Sequence, residues 1–142
     1  MIPDINYWAV IVATVSTMVV GSVWYTPKVF GNRWMKLAKV TPGNDAKAAV
    51  GPILITLVVS FISAWVLAGA SWIAFEFYGG SFLGAAVFTG LILWAGFTAA
   101  RFITHDAFEG RPAALTIMNI AHELVTVLVM SLILGVWPPA IG

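Results

Sequence analysis

The sequence predicts an all-α integral membrane protein, a bundle of four transmembrane helices with a short amphipathic interfacial helix between helices 1 and 2. Three observations predict this fold class. Hydrophobic residues make up 61% of the chain and charged residues only 9%, whereas an ordinary soluble domain carries about 25% charged residues. Four apolar runs are long enough to cross a bilayer, and the Lys and Arg residues are confined to particular connectors between them.

The apolar runs lie near residues 5–26, 50–75, 82–104 and 114–137. Each has the length of about 20 residues that a helix needs to span a hydrocarbon core of about 30 Å. The longest connector runs only from Pro27 to Ala49, which is too short for a separate soluble domain. We therefore expect residues 1–142 to form a single membrane domain. The first span is expected to be retained, because the start of the chain lacks the basic segment of a cleaved signal peptide.

The basic residues predict the orientation. Five of the seven are in the first connector: Lys28, Arg33, Lys36, Lys39 and Lys47. The other two, Arg101 and Arg111, bound the third connector. Cytoplasmic connectors are enriched in Lys and Arg, so these two connectors are expected in the cytoplasm and both termini outside.

The first connector contains a short amphipathic pattern with apolar and basic residues on opposite sides: Phe30, Trp34 and Leu37 against Arg33, Lys36 and Lys39. This spacing predicts an interfacial helix. Its expected anchors in the headgroup layer are Trp24, Phe30, Trp34, Lys36 and Leu37. Pro42 and Gly43 are expected to end this helix. Asn44 or Asp45 is expected to cap the next one.

Small residues at helical spacing predict where the spans cross closely. They are Ser60, Ala64 and Ala68 on the second span, and Ala86, Gly90, Gly96 and Ala100 on the third.

Polar residues interrupt the fourth apolar run at "NIAHEL", residues 119–124. At 3.6 residues per turn one stripe of this helix contains Thr116, Asn119, His122, Glu123 and Thr126. By the same spacing, one face of the third span contains Trp94, Thr98, Arg101 and His105. We expect the two stripes to meet and Arg101 to pair with Glu123. The candidate intramembrane polar cluster is therefore Arg101, His105, Asn119, His122 and Glu123.

Two interpretations of this cluster stay open from the residues alone. In the first, the polar groups join the helices by hydrogen bonds and one ion pair. In the second, Glu123 and His122, with or without His105, bind a proton, a cation or a polar ligand group in a cavity between the helices.

Other kinds of site are not favoured. The net charge of +1 provides no basic field for nucleic acid. The segment "HELVT" has Thr126 where a zinc protease needs a second His. In "THDAFEG", His105, Asp106 and Glu109 are expected to form a solvated helix end rather than a metal site. No cofactor, no bound metal and no catalytic residue is expected.

The segment "VVGSVWYTPKVFGNRWMKL", followed later by "EGRPAALTIMNIAHELVTVLVMSLILGVW", resembles the small bacterial membrane family catalogued as domain of unknown function 1761. The pattern that carries the resemblance is formed by Trp24, Tyr25, Pro27, Phe30, Gly31, Trp34 and Met35. The resemblance implies a four-helix bacterial membrane protein and brings no activity or substrate with it. The expected location is the bacterial cytoplasmic membrane.

The leading expectation for function is a non-enzymatic accessory or scaffold protein. It would act by helix packing within a homo-oligomer or a larger membrane complex, in contact with membrane lipids, because four short helices enclose little space for a private transport path. The alternative is a homo-oligomeric proton-coupled small-molecule or ion transporter, or a channel, that uses Glu123. An integral membrane enzyme comes third, since no nucleophile other than ordinary Ser and Thr is present.

Overall fold

The structure is a computed structural model that describes residues 2–41, 43 and 46–140. All its regular structure is helical: α1 Tyr7–Trp24, α2 Gly31–Ala38, α3 Ala46–Tyr78, α4 Phe82–Leu93, a π-helical segment Trp94–Ala99, α5 Ala100–Phe108 and α6 Ala113–Val136. Four helices are long and apolar enough to cross a membrane: Tyr7–Trp24, Lys47–Tyr78, Phe82–Phe108 and Ala113–Val136. The predicted all-α membrane fold with four spans is confirmed, with the second and third spans longer than expected.

Asn6 ties the start of the bundle to its end. Its side-chain oxygen accepts hydrogen bonds from the backbone N–H groups of Trp8 and Ala9, which caps α1. Its side-chain nitrogen donates to the backbone carbonyl of Trp137 at 3.2 Å. The ends of α1 and α6 that lie near the chain termini are therefore held together, and we call this side of the bundle the terminal end. The opposite side, which carries α2 and the connector between α5 and α6, is the basic end.

The short helix α2 forms where the amphipathic pattern predicts it. Gly31 permits the tight turn before it, because a Cβ atom there would collide with the backbone carbonyl of Tyr25. The helix ends at Lys39, whose φ of 54° is left-handed and stops the α-helical hydrogen bonding. The helix thus ends before Gly43, one of the two residues predicted to stop it. The other, Pro42, and the predicted caps Asn44 and Asp45 lie outside the described residues.

The core lies toward the terminal end. Its buried members come from α1, α3 and α6: Ala9, Val10, Ala13, Ala64, Leu67, Ala68, Met130 and Leu134. Nearer the basic end, the Thr17 hydroxyl donates to Ser60 Oγ at 2.9 Å and joins α1 to α3. α3 packs mainly against α1 and α4.

The small-residue faces are confirmed in part. Ala64 and Ala68 are buried in the core. Gly90 is also buried, and a Cβ atom at this position would collide with Ser131 Oγ of α6. The prediction for Gly96 and Ala100 is wrong within this chain, since both are exposed and a Cβ atom at Gly96 would meet nothing within 4 Å.

Candidate functional site

A large cavity lies among α1, α3, α6 and the third span. Its volume is about 1070 Å³. It extends from Tyr25, next to the end of α1, to Leu67 and Met130, which belong to the buried core. The core therefore closes the cavity toward the terminal end, and the cavity occupies the half of the bundle nearer the basic end.

The walls of the cavity are rich in polar side chains: Thr17, Ser22, Tyr25, Thr56, Ser60, Ser63, Thr98, His122, Glu123 and Thr126. Thr126 is only 8% exposed, and its hydroxyl has no hydrogen-bond partner within the described chain. An unpaired buried hydroxyl costs about 1–3 kcal/mol. Thr126 is thus a residue of the cavity wall whose buried hydroxyl is unpaired among the described residues.

Glu123 supplies the charge of this site. It is the one Asp, Glu, Lys or Arg among the described residues that line the cavity. Its side chain is 35% exposed, and its Oε1 lies 3.3 Å from Nδ1 of His122. Glu123 follows the first residue of α6, Ala113, by ten positions, which is about 15 Å of helix. The structure therefore places a solvent-accessible carboxylate well inside the membrane span.

His122 is held by aromatic rings from the end of the first span. Its ring centroid lies 5.0 Å from that of Tyr25 and 5.8 Å from that of Trp24. Phe30 packs against Trp24 at 4.5 Å, and Trp34 packs against Tyr25 at 5.4 Å. These two ring pairs connect the amphipathic helix to the imidazole beside Glu123.

The aromatic residues predicted as interfacial anchors thus also contact other aromatic rings inside the bundle. Trp24, Phe30 and Trp34 are half-buried, as is Leu37, whereas Lys36 is exposed. The sequence predicts only the headgroup contacts of these residues, because helical spacing alone does not reveal which neighbour an aromatic ring touches. Their contact with lipid headgroups stays a prediction.

Tyr25 follows the last residue of the first span and borders the cavity. Burial, and after it the negative charge of Glu123, raise the pKa of Tyr25 to about 12. The phenol therefore keeps its proton to a higher pH than a free tyrosine does, and it presents an O–H group near the carboxylate.

The residues of the third span that meet α6 include Ala86, Gly90, Trp94 and Asp106. Trp94 donates its indole N–H to the backbone carbonyl of Ile120 at 2.9 Å, which joins the third span to α6. In an uninterrupted α-helix, residue 105 would share the face of Trp94, and residue 106 would be turned away from that face by about 120°. The π-helical segment takes up one additional residue, so the face that meets α6 continues one position later than predicted.

This shift explains why the predicted pair of Arg101 and Glu123 is wrong. Arg101 and His105 are both exposed, and the ion pairs found among the described residues do not include Arg101. Of the predicted cluster, the structure brings together only His122 and Glu123 at the cavity. Asn119 is half-buried and lies outside the residues that line it.

Asp106 takes the place that sequence spacing gave to His105. It is 6% exposed, and its Oδ2 accepts a hydrogen bond from the Thr116 hydroxyl at 2.7 Å. Arg111 Nε lies 3.8 Å from its Oδ1, and the Arg111 backbone N–H donates to its carbonyl. The predicted solvated helix end is therefore wrong for Asp106, which fixes the connector between α5 and α6.

The chain belongs to the family described as "Protein of unknown function (DUF1761)", whose model matches residues 8–135. No curated protein and no solved structure matches the chain.

Proposed function

We propose that this DUF1761 protein is a proton-coupled carrier of a small solute, which acts as a homo-oligomer in the bacterial cytoplasmic membrane. The observation that carries the proposal is the exposure of Glu123 in a cavity of about 1070 Å³. A charged side chain within a span is costly unless it faces water or a partner. Glu123 faces the cavity, and its ion-pair neighbour among the described residues is His122. Its carboxylate is therefore available to a solute or to a proton.

The alternative role as an accessory or scaffold subunit receives less support from this geometry. A scaffold needs Glu123 for packing or for pairing with a second helix. Instead, the contacts that join the helices are made by other residues, such as Gly90 with Ser131 and Trp94 with Ile120.

The division of the bundle into two halves also suits a carrier. The half nearer the terminal end is packed by the core, and the half nearer the basic end holds the cavity. With the basic connectors in the cytoplasm, the cavity belongs to the cytoplasmic half of the membrane and both termini lie outside. A second copy of the chain, or a shift of the packed half, would complete the path, which is why the proposal includes an oligomer.

Solute-driven proton movement tests the proposal. Purified protein would be reconstituted into liposomes that contain a trapped pH-sensitive dye, and organic cations, organic anions, zwitterions and neutral solutes would be added in turn under an imposed pH gradient. We expect at least one class to drive proton flux with the wild-type protein and not with Glu123→Gln. Glu76→Gln is the matched control, because Glu76 is exposed and lies outside the cavity.

If no solute class moves protons with the wild-type protein, the carrier proposal is wrong. If Glu123→Gln in addition lowers the oligomer mass measured by light scattering, the accessory role becomes the better account.

A further inference from the structure

We infer that the ligand of this cavity is a monovalent organic cation with apolar or aromatic substituents, such as a lipophilic amine or quaternary ammonium ion, which enters from the lipid side. The inference deepens the proposed function by naming the ligand class, and it rests on that proposal only for the use of the same cavity. Charge, aromatic lining, size and the composition of the cavity mouth each support it.

The charge of the site favours a cation. Glu123 is the one formally charged acidic or basic residue among the described residues of the lining, and Arg101 is exposed and makes no ion pair with it. An anionic ligand would meet a carboxylate with no Lys or Arg to offset the repulsion. A cation supplies a permanent countercharge, whereas His122, 3.3 Å from Glu123, supplies one only when it is protonated. An unpaired charge is costly in this medium.

The aromatic residues of the lining favour an organic cation. Tyr25, Trp94 and Phe97 lie on the walls, and aromatic faces attract cations, most strongly where water is excluded. The indole N–H of Trp94 is already donated to Ile120. What Trp94 offers a ligand is therefore its ring.

The size and composition of the site exclude a bare metal ion as the best occupant. Small-molecule sites have volumes of about 300–1000 Å³, and this cavity of about 1070 Å³ is of that order. Hard metal ions need several oxygen ligands, usually including more than one carboxylate. In the part of the chain that is described, no group of three His, Asp or Glu side chains is placed to hold a metal.

The mouth of the cavity faces outward and has no charged side chain among the described residues. Ile55 and Ile62 on α3 are 66% and 51% exposed, and Phe97 in the π-helical segment is 75% exposed. All three also line the cavity, so they form an edge between its interior and the surface that contacts lipid. A ligand with apolar substituents can cross this edge without desolvating a charged rim.

Two ions of similar shape and opposite charge provide the test. Binding of tetraphenylphosphonium and of tetraphenylborate to the detergent-solubilised protein would be measured by isothermal titration calorimetry. We expect the wild-type protein to bind the phosphonium at least about tenfold more tightly than the borate, and Glu123→Gln to lose at least about tenfold in phosphonium affinity. Glu76→Gln should keep the wild-type affinity, and Phe97→Ala should weaken binding of the phosphonium.

Equal binding of the two ions by the wild-type protein would overturn the inference, and so would phosphonium affinity that Glu123→Gln leaves unchanged. The wild-type comparison stands even if Glu123→Gln does not fold. The outcomes also separate the two proposals. Selective binding of the phosphonium without proton flux contradicts the carrier alone, whereas proton flux driven only by anions or neutral solutes contradicts the organic-cation inference alone.

Discussion

The Thr116 hydroxyl donates a 2.7 Å hydrogen bond to the buried carboxylate of Asp106, and this bond joins the start of α6 to α5. Asp106 is buried, whereas its ion-pair neighbour Arg111 is about half exposed. A buried carboxylate depends on its hydrogen bonds more than on a partly solvated ion pair. The hydrogen bond from Thr116 is therefore expected to contribute more than the ion pair to the stability of the contact between α5 and the start of α6.

Thr116→Val should destabilise the protein by about 2 kcal/mol, because it removes the donor and leaves the buried carboxylate under-satisfied. Thermal unfolding in detergent, followed by circular dichroism, measures the change. Thr104→Val is the matched control on α5, where an exposed hydroxyl bonds only to the backbone of its own helix. A loss of stability equal for the two variants would contradict the role given to Thr116.

Gly90→Ala should destabilise the bundle by about 1–3 kcal/mol, as overpacking does in a close helix crossing. The new Cβ atom would collide with Ser131 Oγ and lie 3.0 Å from Val127 Cγ1. Gly96→Ala, in the same span, adds a methyl group to open space and should leave the melting temperature unchanged or raise it. The reverse order of the two melting temperatures would show that Gly90 does not sit at the crossing described.

Trp94→Phe should cost about 1 kcal/mol, the usual contribution of one hydrogen bond, because it removes the indole N–H that donates to Ile120. We also expect faster amide hydrogen exchange across residues 94–99, since this bond holds the π-helical segment against α6. Trp65→Phe removes an indole that is 45% exposed and should change neither quantity. Unaltered exchange in Trp94→Phe would mean that the segment is held by its backbone alone.

The pKa of Tyr25, raised from 10.0 to about 12, predicts a pH effect. Because the folded protein keeps the phenol proton to a higher pH than the unfolded chain does, the stability contributed by Tyr25 is full below about pH 10 and is lost as the pH rises to about 12. The difference in phenolate absorbance between wild type and Tyr25→Phe should therefore develop near pH 12. Glu123→Gln should shift this titration to lower pH without abolishing the elevation, since burial is the larger cause. A Tyr25 titration that Glu123→Gln does not move would place the phenol away from the carboxylate.

The orientation is open to direct measurement, because the chain contains no cysteine. Lys36→Cys, in α2, should react with an impermeant thiol reagent in inverted vesicles, which expose the cytoplasmic side of the membrane. It should not react in right-side-out vesicles. Tyr78→Cys should react only from the opposite side, and it is preferred to a substitution at Gly80, whose φ of 86° would strain any other residue. Labelling of both positions from the same side of the membrane would contradict the proposed topology.

The features that depend on composition and periodicity could be predicted from the sequence. The four apolar spans and α2 are recognised by length and by the spacing of apolar residues, and these need no knowledge of tertiary contacts. The small residues Ala64 and Gly90 were also found correctly, since close helix crossings need small side chains. The position of His122 and Glu123 on one cavity wall follows from their place in α6.

The predictions that were wrong or incomplete concern features that depend on the local helix type or on which aromatic rings are in contact. Periodicity assumed 3.6 residues per turn throughout the third span, so it assigned Arg101 and His105 to the face that Asp106 occupies. Nothing in the order of residues 94–99 marks the wider turn, apart from Gly96 within it. A cavity beside His122 and Glu123 is one of the two interpretations that the sequence leaves open, but its size and its other walls could not be predicted, because they depend on how α3 packs against α1 and α4 rather than against the middle of the third span.

The π-helical segment lets the third span hold one residue more than an uninterrupted α-helix would, without turning α5 away from α6. Removal of one residue between 95 and 98 would restore an ordinary α-helix and leave the rotation of α5 unchanged, because the present Asp106 would then stand eleven positions after Trp94, on the same face. Asp106 would keep its contact with Thr116, and Arg101 would stay exposed. A homologue that is one residue shorter in this segment would therefore keep the same polar side chains toward α6 and lose only the wider turn.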